Sequence, residues 1–257
     1  MDFRDSTHHT YYHDDVYSET PIAFPQSRVR SEIVEPSNMI LDALPSDINR
    51  MLAPSLKPVM LNKEQFIYHE DARLDFVYFP LTAVVSEFKM LEDGRMVEIA
   101  VTGKEGAVGL SSIISESHLA PNCVQVSQPG LAKRLDAVTF EKMIRSNERL
   151  REGLNKFLTL YIKQISQKAI CNMYHSVKER LCTWLLMLQD RSGNSVLKLT
   201  HEQIARTLGV YRPSITCIAQ ELRESKLINY SRGGISIRNR ERVEDAACTC
   251  YFELSGA

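Results

Sequence analysis

Short apolar stretches, separated by residues that favour turns, dominate the front part of the chain. They lie at residues 76–79, 83–90, 96–101, 124–126 and 131–135. The second and third stretches flank Asp93-Gly94, a dipeptide typical of a tight β-hairpin turn. Many short strands joined by turns favour a compact β-roll or barrel over a parallel sheet. The pattern therefore predicts a β-roll in this part of the chain.

A helical spacing of apolar residues frames this region on both sides. Residues 38–54 predict short helices that break at Pro45 and Pro54. Residues 138–190 predict a series of helices, and the longest places apolar side chains three or four positions apart. Its stripe contains Leu150, Leu154, Phe157, Leu158, Tyr161 and Ile165.

The narrow stripe of the long helix must pack against another apolar surface. That surface is either the β-roll of the same chain or the same helix of a second chain, and we favour the second chain. A homodimer interface is therefore predicted at Leu150, Leu154, Phe157, Tyr161 and Ile165.

Residues 196–237 carry the most specific pattern of the chain. Thr200 and Gln203 form a Thr-x-x-Gln capping box, which marks the start of a helix that ends at Gly209. Pro213 fits the first turn of a second helix, and two short strands follow it. This order is typical of a winged helix-turn-helix, whose second helix lies in the major groove of DNA. A helical subdomain of a larger enzyme is the alternative, and we favour DNA binding.

Charge is unevenly distributed along the chain. The formal net charge is −1, but residues 151–242 hold 16 Lys and Arg against 7 Asp and Glu, whereas residues 1–150 hold 15 against 22. A basic block behind an acidic one suggests a polyanionic partner for the back half. A solvated helix surface would give the same count, so charge alone leaves both interpretations open.

The chain resembles the Crp/Fnr family of bacterial regulators across roughly residues 40–252. The resemblance lies in VYFPLTAVVS, DGRMVEIAVTGKEGAVGL, KERLCTWLLML, LTHEQIARTLGVYRPSITCIAQELRESKLINYSRGGISI and ACTCY. It implies an α+β fold with a β-roll similar to the cyclic-nucleotide-binding jelly roll, a long dimerisation helix and a winged helix-turn-helix. It also implies a homodimer on a two-fold symmetric site in double-stranded DNA, with RNA polymerase as a further candidate partner. The expected divisions are a tail at 1–38, the roll at 39–145, the dimerisation helix at 146–175 and the DNA-binding domain at 176–257.

The resemblance assigns DNA contacts to the second helix and its surroundings. Arg212 matches an arginine with which the family contacts DNA, and it would pair with guanine or hold a phosphate. Pro213 and Cys217 depart from the residues of the catabolite activator-like members, so their target sequence is not carried over. The predicted DNA-binding residues are Thr200, His201, Tyr211, Arg212, Ser214, Thr216, Cys217, Gln220 and Arg232. Of these, Ser214, Thr216 and Gln220 are candidate base readers, Thr200, His201 and Tyr211 are better placed for the backbone, and Arg232 at the wing tip would meet a phosphate.

The cassette that holds the phosphate of a cyclic nucleotide in this family is altered. It reads Gly-Glu-Leu and, some ten residues later, Arg-Ser-Ala, whereas here the first step falls at Gly109-Leu110 and no Arg or Lys occurs from Glu105 to Ala132. A buried phosphate without a cation lacks the charge-assisted hydrogen bonds that hold it. His118 is the nearest candidate cation. We therefore predict that cyclic AMP and cyclic GMP do not bind.

The cysteines and histidines predict neither a metal nor a cofactor. An iron–sulfur cluster of the Fnr kind needs N-terminal cysteines, and the first 122 residues contain none. The sulfurs of Cys248 and Cys250 would converge only in a turn, so they are either a redox or metal pair or packed thiols, and we favour packed thiols. His8, His9 and His13 in the tail could bind a metal, but scattered tail histidines are usually solvated.

Three functional classes compete for this sequence. A ligand-sensing module without a DNA role is the alternative to a DNA-binding regulator, and the altered cassette speaks against it. An enzyme is not supported, because the HExxH, GxSxG, Walker and Rossmann patterns are missing and no catalytic residue is predicted. No apolar run approaches the length of about 18 residues that a membrane span needs. The N-terminus does not resemble a signal peptide, so we expect a cytoplasmic protein.

Overall fold

The computed structural model describes residues 36–231 and 234–255. The chain divides into two units after residue 35, and the described residues belong to the second unit. Within these ranges, no helix combines the length and the apolar character needed to cross a bilayer. The tail histidines lie outside the described residues; they are His8, His9 and His13.

The front part of the described chain is a two-sheet β-roll with short helices, as predicted. Its elements are α1 (Met39–Ala43), α2 (Ser46–Leu52), β1 (Lys57–Leu61), β2 (Phe66–Tyr68), β3 (Phe76–Pro80), β4 (Val84–Met90), β5 (Met96–Thr102), α3 (Leu110–Ile114), β6 (Cys123–Gln128) and β7 (Gly130–Asp136). Antiparallel pairing orders the strands β1-β7-β3 in one sheet and β2-β6-β4-β5 in the other. The predicted hairpin joins β4 to β5 and pairs Met90 with Met96.

The apolar pattern does not predict β1 and β2. Pro58 lies within β1, and β2 has only three residues, so neither strand shows an alternation long enough to recognise. Both strands lie at the edge of their sheets. Proline is tolerated at a sheet edge because one row of backbone donors needs no partner strand there.

A run of helices connects the roll to the C-terminal domain. These helices are α4 (Ala137–Ser146), α5 (Glu148–Tyr174) and α6 (Val177–Ser192). Asn147 caps α5, because its side-chain oxygen accepts a hydrogen bond from the backbone N–H of Leu150 at 3.0 Å. Ser176 and Glu179 form a capping box at the start of α6, so a short cap separates the two helices.

One face of α5 packs against the roll of its own chain. Leu150 and Leu154 are fully buried in a core cluster shared with the roll, and Phe157 packs against that cluster. The Tyr161 hydroxyl donates a hydrogen bond of 2.7 Å to the Glu87 carboxylate of β4. Leu150 and Leu154, two of the residues predicted at a dimer interface, are therefore already covered by the roll of their own chain. On this face the partner of α5 is its own β-roll.

A second apolar stripe of α5 faces solvent. This outer stripe begins at Leu158, which is partly packed against the core cluster of the roll, and continues through Ile162, Ile165, Ala169 and Met173, at spacings of four, three, four and four residues. Ile162 is 63% exposed and Met173 is 75% exposed. Among the five residues predicted at the dimer interface, Ile165 lies on the outer stripe.

The C-terminal domain is the predicted winged helix-turn-helix followed by two short helices. Its elements are α7 (His201–Leu208), α8 (Arg212–Glu224), β8 (Ile228–Ser231), β9 (Gly234–Ile237), α9 (Arg240–Asp245) and α10 (Cys250–Ser255). Trp184 of α6, Ile204 of α7, Ile215 of α8 and Ile235 of β9 share one buried apolar cluster. The two helices and the wing are thus held as one packed body against α6.

A buried ion pair connects the roll, the long helix and the C-terminal domain. Glu98 of β5 is fully buried, and its carboxylate accepts a hydrogen bond from Lys168 Nζ of α5 at 2.9 Å. It also accepts one from Trp184 Nε1 of α6 at 3.2 Å. A buried carboxylate is tolerated only when it is paired and hydrogen-bonded, so each of the three elements depends on the other two at this point.

Candidate nucleic-acid interface

Helix α7 begins and ends where the sequence predicts. The Thr200 hydroxyl accepts a hydrogen bond from the backbone N–H of Gln203 at 3.2 Å, and the Gln203 side chain accepts one from the backbone N–H of Thr200 at 2.9 Å. This reciprocal capping satisfies donors that the first helical turn leaves free. Gly209 ends the helix with a φ of 66°, a left-handed geometry that glycine adopts without steric cost.

Helix α8 has one buried apolar face and one exposed polar face. Ile215, Ala219 and Leu222 are buried on its inner face. Pro213 lies in its first turn, where the absence of an N–H costs little. The predicted contact residues on or just before the helix are all exposed: Tyr211, Arg212, Ser214, Thr216, Cys217 and Gln220. The helix therefore offers solvent a continuous polar surface of the size that fits a DNA groove.

The wing packs beside the helix pair. Strands β8 and β9 pair antiparallel with Tyr230 opposite Ile235, and Leu197 exchanges two backbone hydrogen bonds with Ile235 at 2.8 and 2.9 Å. This extra bridge anchors the wing to the segment before α7. Arg232, the predicted phosphate contact at the wing tip, lies outside the described residues, so its role stays a prediction.

His201 joins α7, α8 and the wing. Its ring stacks on Tyr230 of β8 with 4.5 Å between ring centroids, and its Nδ1 lies 3.1 Å from Thr216 Oγ1 of α8. Burial and the nearby Arg212 guanidinium lower the pKa of His201, so its imidazole is neutral at neutral pH. Two predicted DNA contacts, His201 and Thr216, thus hold each other in place in the free protein.

The comparisons with known proteins agree with this geometry. A family model described as the Crp-like helix-turn-helix domain matches residues 179–246. The chain is 21% identical to the anaerobic regulatory protein of Bacillus subtilis (strain 168) over 231 residues, which cover 86% of this chain and 96% of the relative. The chain therefore carries a Crp-like helix-turn-helix domain at residues 179–246 and is similar to the Crp/Fnr family of transcription regulators. This regulator is also 23% identical to the global nitrogen regulator of Nostoc sp. (strain PCC 7120) over 207 residues, which cover 76% of this chain and 92% of the relative.

Solved structures of family members share the fold of the regulator. FixK2 from Bradyrhizobium japonicum superposes with a TM-score of 0.64 at 19% identity, covering 76% of the regulator and 98% of that structure. A transcriptional regulator of the CRP family from Thermus thermophilus gives a TM-score of 0.62 at 15% identity, covering 74% and 96%. At these identities the likeness establishes the architecture of roll, long helix and winged helix-turn-helix.

The DNA-binding domain of the regulator is docked on its own β-roll, which the sequence does not predict. Arg206 of α7 donates a hydrogen bond of 3.0 Å to the Gln125 side chain of β6, and Gln203 of α7 bonds to Glu64. The Gln128 side chain of β6 accepts a hydrogen bond from the backbone N–H of Lys198 at 3.0 Å. These residues are far apart in the chain and belong to no motif, so nothing in the sequence pattern signals that they meet.

The segment around Gly109 and Leu110 borders a small cleft with a buried carboxyl group. The cleft has a cavity volume of about 10 Å³ and is lined by Glu87, Gly109, Ser111, Phe157 and Tyr161, among others. Its volume lies below the range of about 300–1,000 Å³ that is usual for small-molecule sites. Glu87 places a carboxyl group, and no cation, at the cleft wall.

The predicted candidate cation near the cassette is engaged elsewhere. His118 Nε2 lies 2.9 Å from a carboxylate oxygen of Glu141 on α4. Neither the cleft nor its surroundings therefore provides a free positive charge for a phosphate among the residues that line it.

Glu87 gives a prediction about pH. Burial raises the pKa of Glu87 above its ordinary value of 4.5, although hydrogen bonds from Tyr161 and Asn122 act in the opposite direction. Because the folded-state pKa is the higher one, Glu87 stabilises the fold below about pH 4.5 and loses that contribution as the pH rises through the raised value. We expect Glu87→Gln to be more stable than the parent protein at neutral pH, with the difference shrinking in acid. Urea unfolding between about pH 5 and about pH 8 measures this; an equal difference at every pH would contradict it.

Proposed function

We propose that the regulator binds a two-fold symmetric site in double-stranded DNA as a homodimer. Each chain would place α8 in one major groove, with half-sites centred roughly 34 Å apart, one helical turn of DNA. The observation that carries this proposal is the exposed polar face of α8 from Arg212 to Gln220, displayed beside a wing on a packed scaffold. We further predict, from this role, that the regulator contacts RNA polymerase and is located in the cytoplasm.

The contact residues divide between base reading and phosphate binding. Arg212 is exposed at the start of α8, where a guanidinium can bind guanine O6 and N7 together or hold a phosphate. Ser214, Thr216, Cys217 and Gln220 follow on the exposed side of the helix. The backbone contacts would come from Thr200, His201, Tyr211 and Arg232.

When DNA binds, Thr216 and Gln220 would each give up a hydrogen bond within the protein and form one to a base. The Thr216 hydroxyl donates to the carbonyl oxygen of Arg212 at 3.2 Å, and Gln220 Nε2 donates to Glu224 at 2.8 Å. Both bonds are exposed to solvent, so replacing them with bonds to base edges has a small net cost.

The outer stripe of α5 supports the homodimer. A helix with apolar residues at alternating spacings of three and four is typical of a two-helix seam. Ile162, Ile165 and Ala169 follow this spacing, and they lie beside the face of the helix that the roll already occupies. Helix α5 of a second chain is the partner that fits this stripe, because a two-fold symmetric pair would bury the same stripe on both chains.

The small volume of the cleft supports the prediction that the regulator does not respond to cyclic nucleotides. A cyclic phosphate would have to enter beside the buried Glu87 carboxylate without a cation to pair with. Calorimetry with cyclic AMP checks this, and binding in the micromolar range would contradict it. The signal that acts on the roll is a separate question.

The assignment of α8 is tested by Arg212→Ala. We expect the variant to bind a parent-selected DNA fragment with about 1–3 kcal/mol less free energy, a loss of roughly 5- to 150-fold, in a mobility-shift titration. If Arg212 reads a guanine, the variant also loses discrimination at that base pair, whereas a phosphate contact would weaken all fragments equally.

Arg50→Ala is the matched control. Arg50 is an exposed arginine of α2 that bonds only to the backbone of its own helix among the contacts described, so its loss should leave DNA affinity unchanged. Equal binding by Arg212→Ala and the parent protein, at the same salt concentration, would show that α8 is not the recognition helix.

A further inference from the structure

Four metal-ligating side chains converge where the end of α5 meets the C-terminal segment. Cys171 and His175 lie one helical turn apart, Cys248 lies just before α10, and Cys250 is the first residue of α10. All four donor atoms lie within 4.8 Å of one another. Cys171 Sγ is 3.5 Å from Cys248 Sγ, and Cys250 Sγ is 3.4 Å from His175 Nδ1.

We propose that these four side chains form a structural Zn²⁺ site. A tetrahedral Zn²⁺ has bonds of about 2.3 Å to sulfur and about 2.0 Å to nitrogen, which sets its donor atoms roughly 3.6–3.8 Å apart. The two separations given above are close to this value before any metal is placed. Three thiolates and one imidazole are a donor set that Zn²⁺ prefers, and four protein ligands complete its coordination as in structural sites.

A disulfide and an iron–sulfur cluster explain the arrangement less well. A Cys171–Cys248 disulfide would account for two of the four side chains and would not explain why Cys250 and His175 lie beside them. A cluster of several irons and sulfides is larger than one ion and would push apart ligands that already lie at the spacing of a single tetrahedron.

The surroundings supply the second layer of contacts that metal sites need. The Thr183 hydroxyl accepts the backbone N–H of Cys248 at 3.1 Å and lies 3.0 Å from its sulfur, so its own hydrogen can point at a thiolate. Gln167 Nε2 donates to Cys250 Sγ at 3.1 Å. Donors to the ligand sulfurs orient them and stabilise their ionised form.

The charge of the neighbourhood fits an anionic metal centre. Zn²⁺ with three thiolates and a neutral histidine carries a net charge of −1. Arg180 and Lys168 line the same cavity as Cys171 and Cys250. Arg180 Nε is buried and has no hydrogen-bond partner among the described residues, so a nearby anion would compensate its charge.

The proposed zinc would fasten the C-terminal segment to the end of α5. The three cysteines are 1–6% exposed and His175 is partly exposed, so four protein ligands would leave no open coordination position for a substrate. Helix α10 packs on both α5 and α6 and continues directly from Cys250. Zinc binding would therefore stabilise the junction between the long helix and the DNA-binding domain.

Metal analysis of the full-length protein, purified under reducing conditions without added metal, tests the proposal. We expect about one zinc per chain in the parent protein and almost none in the double variant Cys248→Ser/Cys250→Ser. Cys217→Ser is the matched control, because Cys217 is exposed and lies outside the cluster, and it should keep its zinc. Cobalt added to the apoprotein should give the intense visible bands of a tetrahedral thiolate site.

A ligand-swapping pair guards against a variant that merely misfolds. His175→Cys keeps a fourth donor and should retain zinc, whereas His175→Ala should lose it to a chelator that leaves the parent protein loaded. A chelator should lower the unfolding temperature of the parent protein and leave that of the double cysteine variant unchanged. The proposal is overturned by a metal-free parent that also fails to bind added Zn²⁺ or Co²⁺, by iron with sulfide in place of zinc, or by a Cys171–Cys248 disulfide in freshly prepared protein.

Discussion

Replacing Ile162 with glutamate should prevent the proposed homodimer from forming. Ile162 is 63% exposed at the middle of the outer stripe, so two copies would meet at the proposed seam. Each lost isoleucine removes about 1.5–3 kcal/mol of apolar burial, and the glutamates add two charges without partners. The dimer dissociation constant should rise at least about 100-fold, as measured by analytical ultracentrifugation.

The same change should weaken DNA binding, because a monomer holds one half-site. Affinity for a symmetric site should fall by about 10²- to 10⁴-fold, while binding to a single half-site stays as weak as in the parent protein. Ile170→Glu is the control: Ile170 is an exposed isoleucine of α5 that lies outside the outer stripe, so this variant should remain dimeric. A folded Ile162→Glu protein that still sediments as a dimer would show that the chains pair elsewhere.

Replacing Lys168 with methionine should cost the fold about 3–5 kcal/mol. The change leaves the Glu98 carboxylate fully buried with only Trp184 Nε1 as a donor among the contacts described. An ionised carboxylate without a counter-charge in that environment is strongly unfavourable. Urea unfolding followed by tryptophan fluorescence measures the loss, and Trp184, the single tryptophan of the chain, reports directly from this site.

Two further variants separate the buried charge from a general effect of removing a lysine. Adding Glu98→Gln to Lys168→Met should restore most of the stability, because the buried charge is then gone. Lys163→Met removes an exposed lysine of α5 whose pairing with Glu253 at 3.6 Å is open to solvent, and should cost less than about 1 kcal/mol. A similar loss in Lys163→Met and Lys168→Met would contradict the role of the buried pair.

The winged helix-turn-helix could be predicted because its signals are local. A capping box, a left-handed glycine and a proline in a first turn each act within a few residues, and the structure has Thr200, Gly209 and Pro213 in these roles. The β-roll was predictable as a class from its short strands and its Asp-Gly hairpin. Its sheet order was not, because strands such as β1 and β7 pair across more than 70 residues of chain.

The two faces of α5 show why the partner of an apolar stripe is harder to predict. The stripe that begins at Leu150 and the outer stripe through Ile162 have similar spacings, but the first packs against the roll and Ile162 is exposed. Periodicity identifies an apolar face but not its partner. The cysteine cluster was hidden for a related reason: Cys171 and Cys248 are 77 residues apart, and Cys-x-Cys is not zinc-finger spacing.

The long helix also constrains how a signal could travel. At 1.5 Å per residue its 27 residues span about 40 Å, with the roll attached along one side and a short cap leading into α6 at the far end. A rod fixed in this way behaves as a lever. A tilt of a few degrees at the sensor end would swing the two groove-reading helices of a dimer by several ångströms, enough to lose their register with successive turns of DNA.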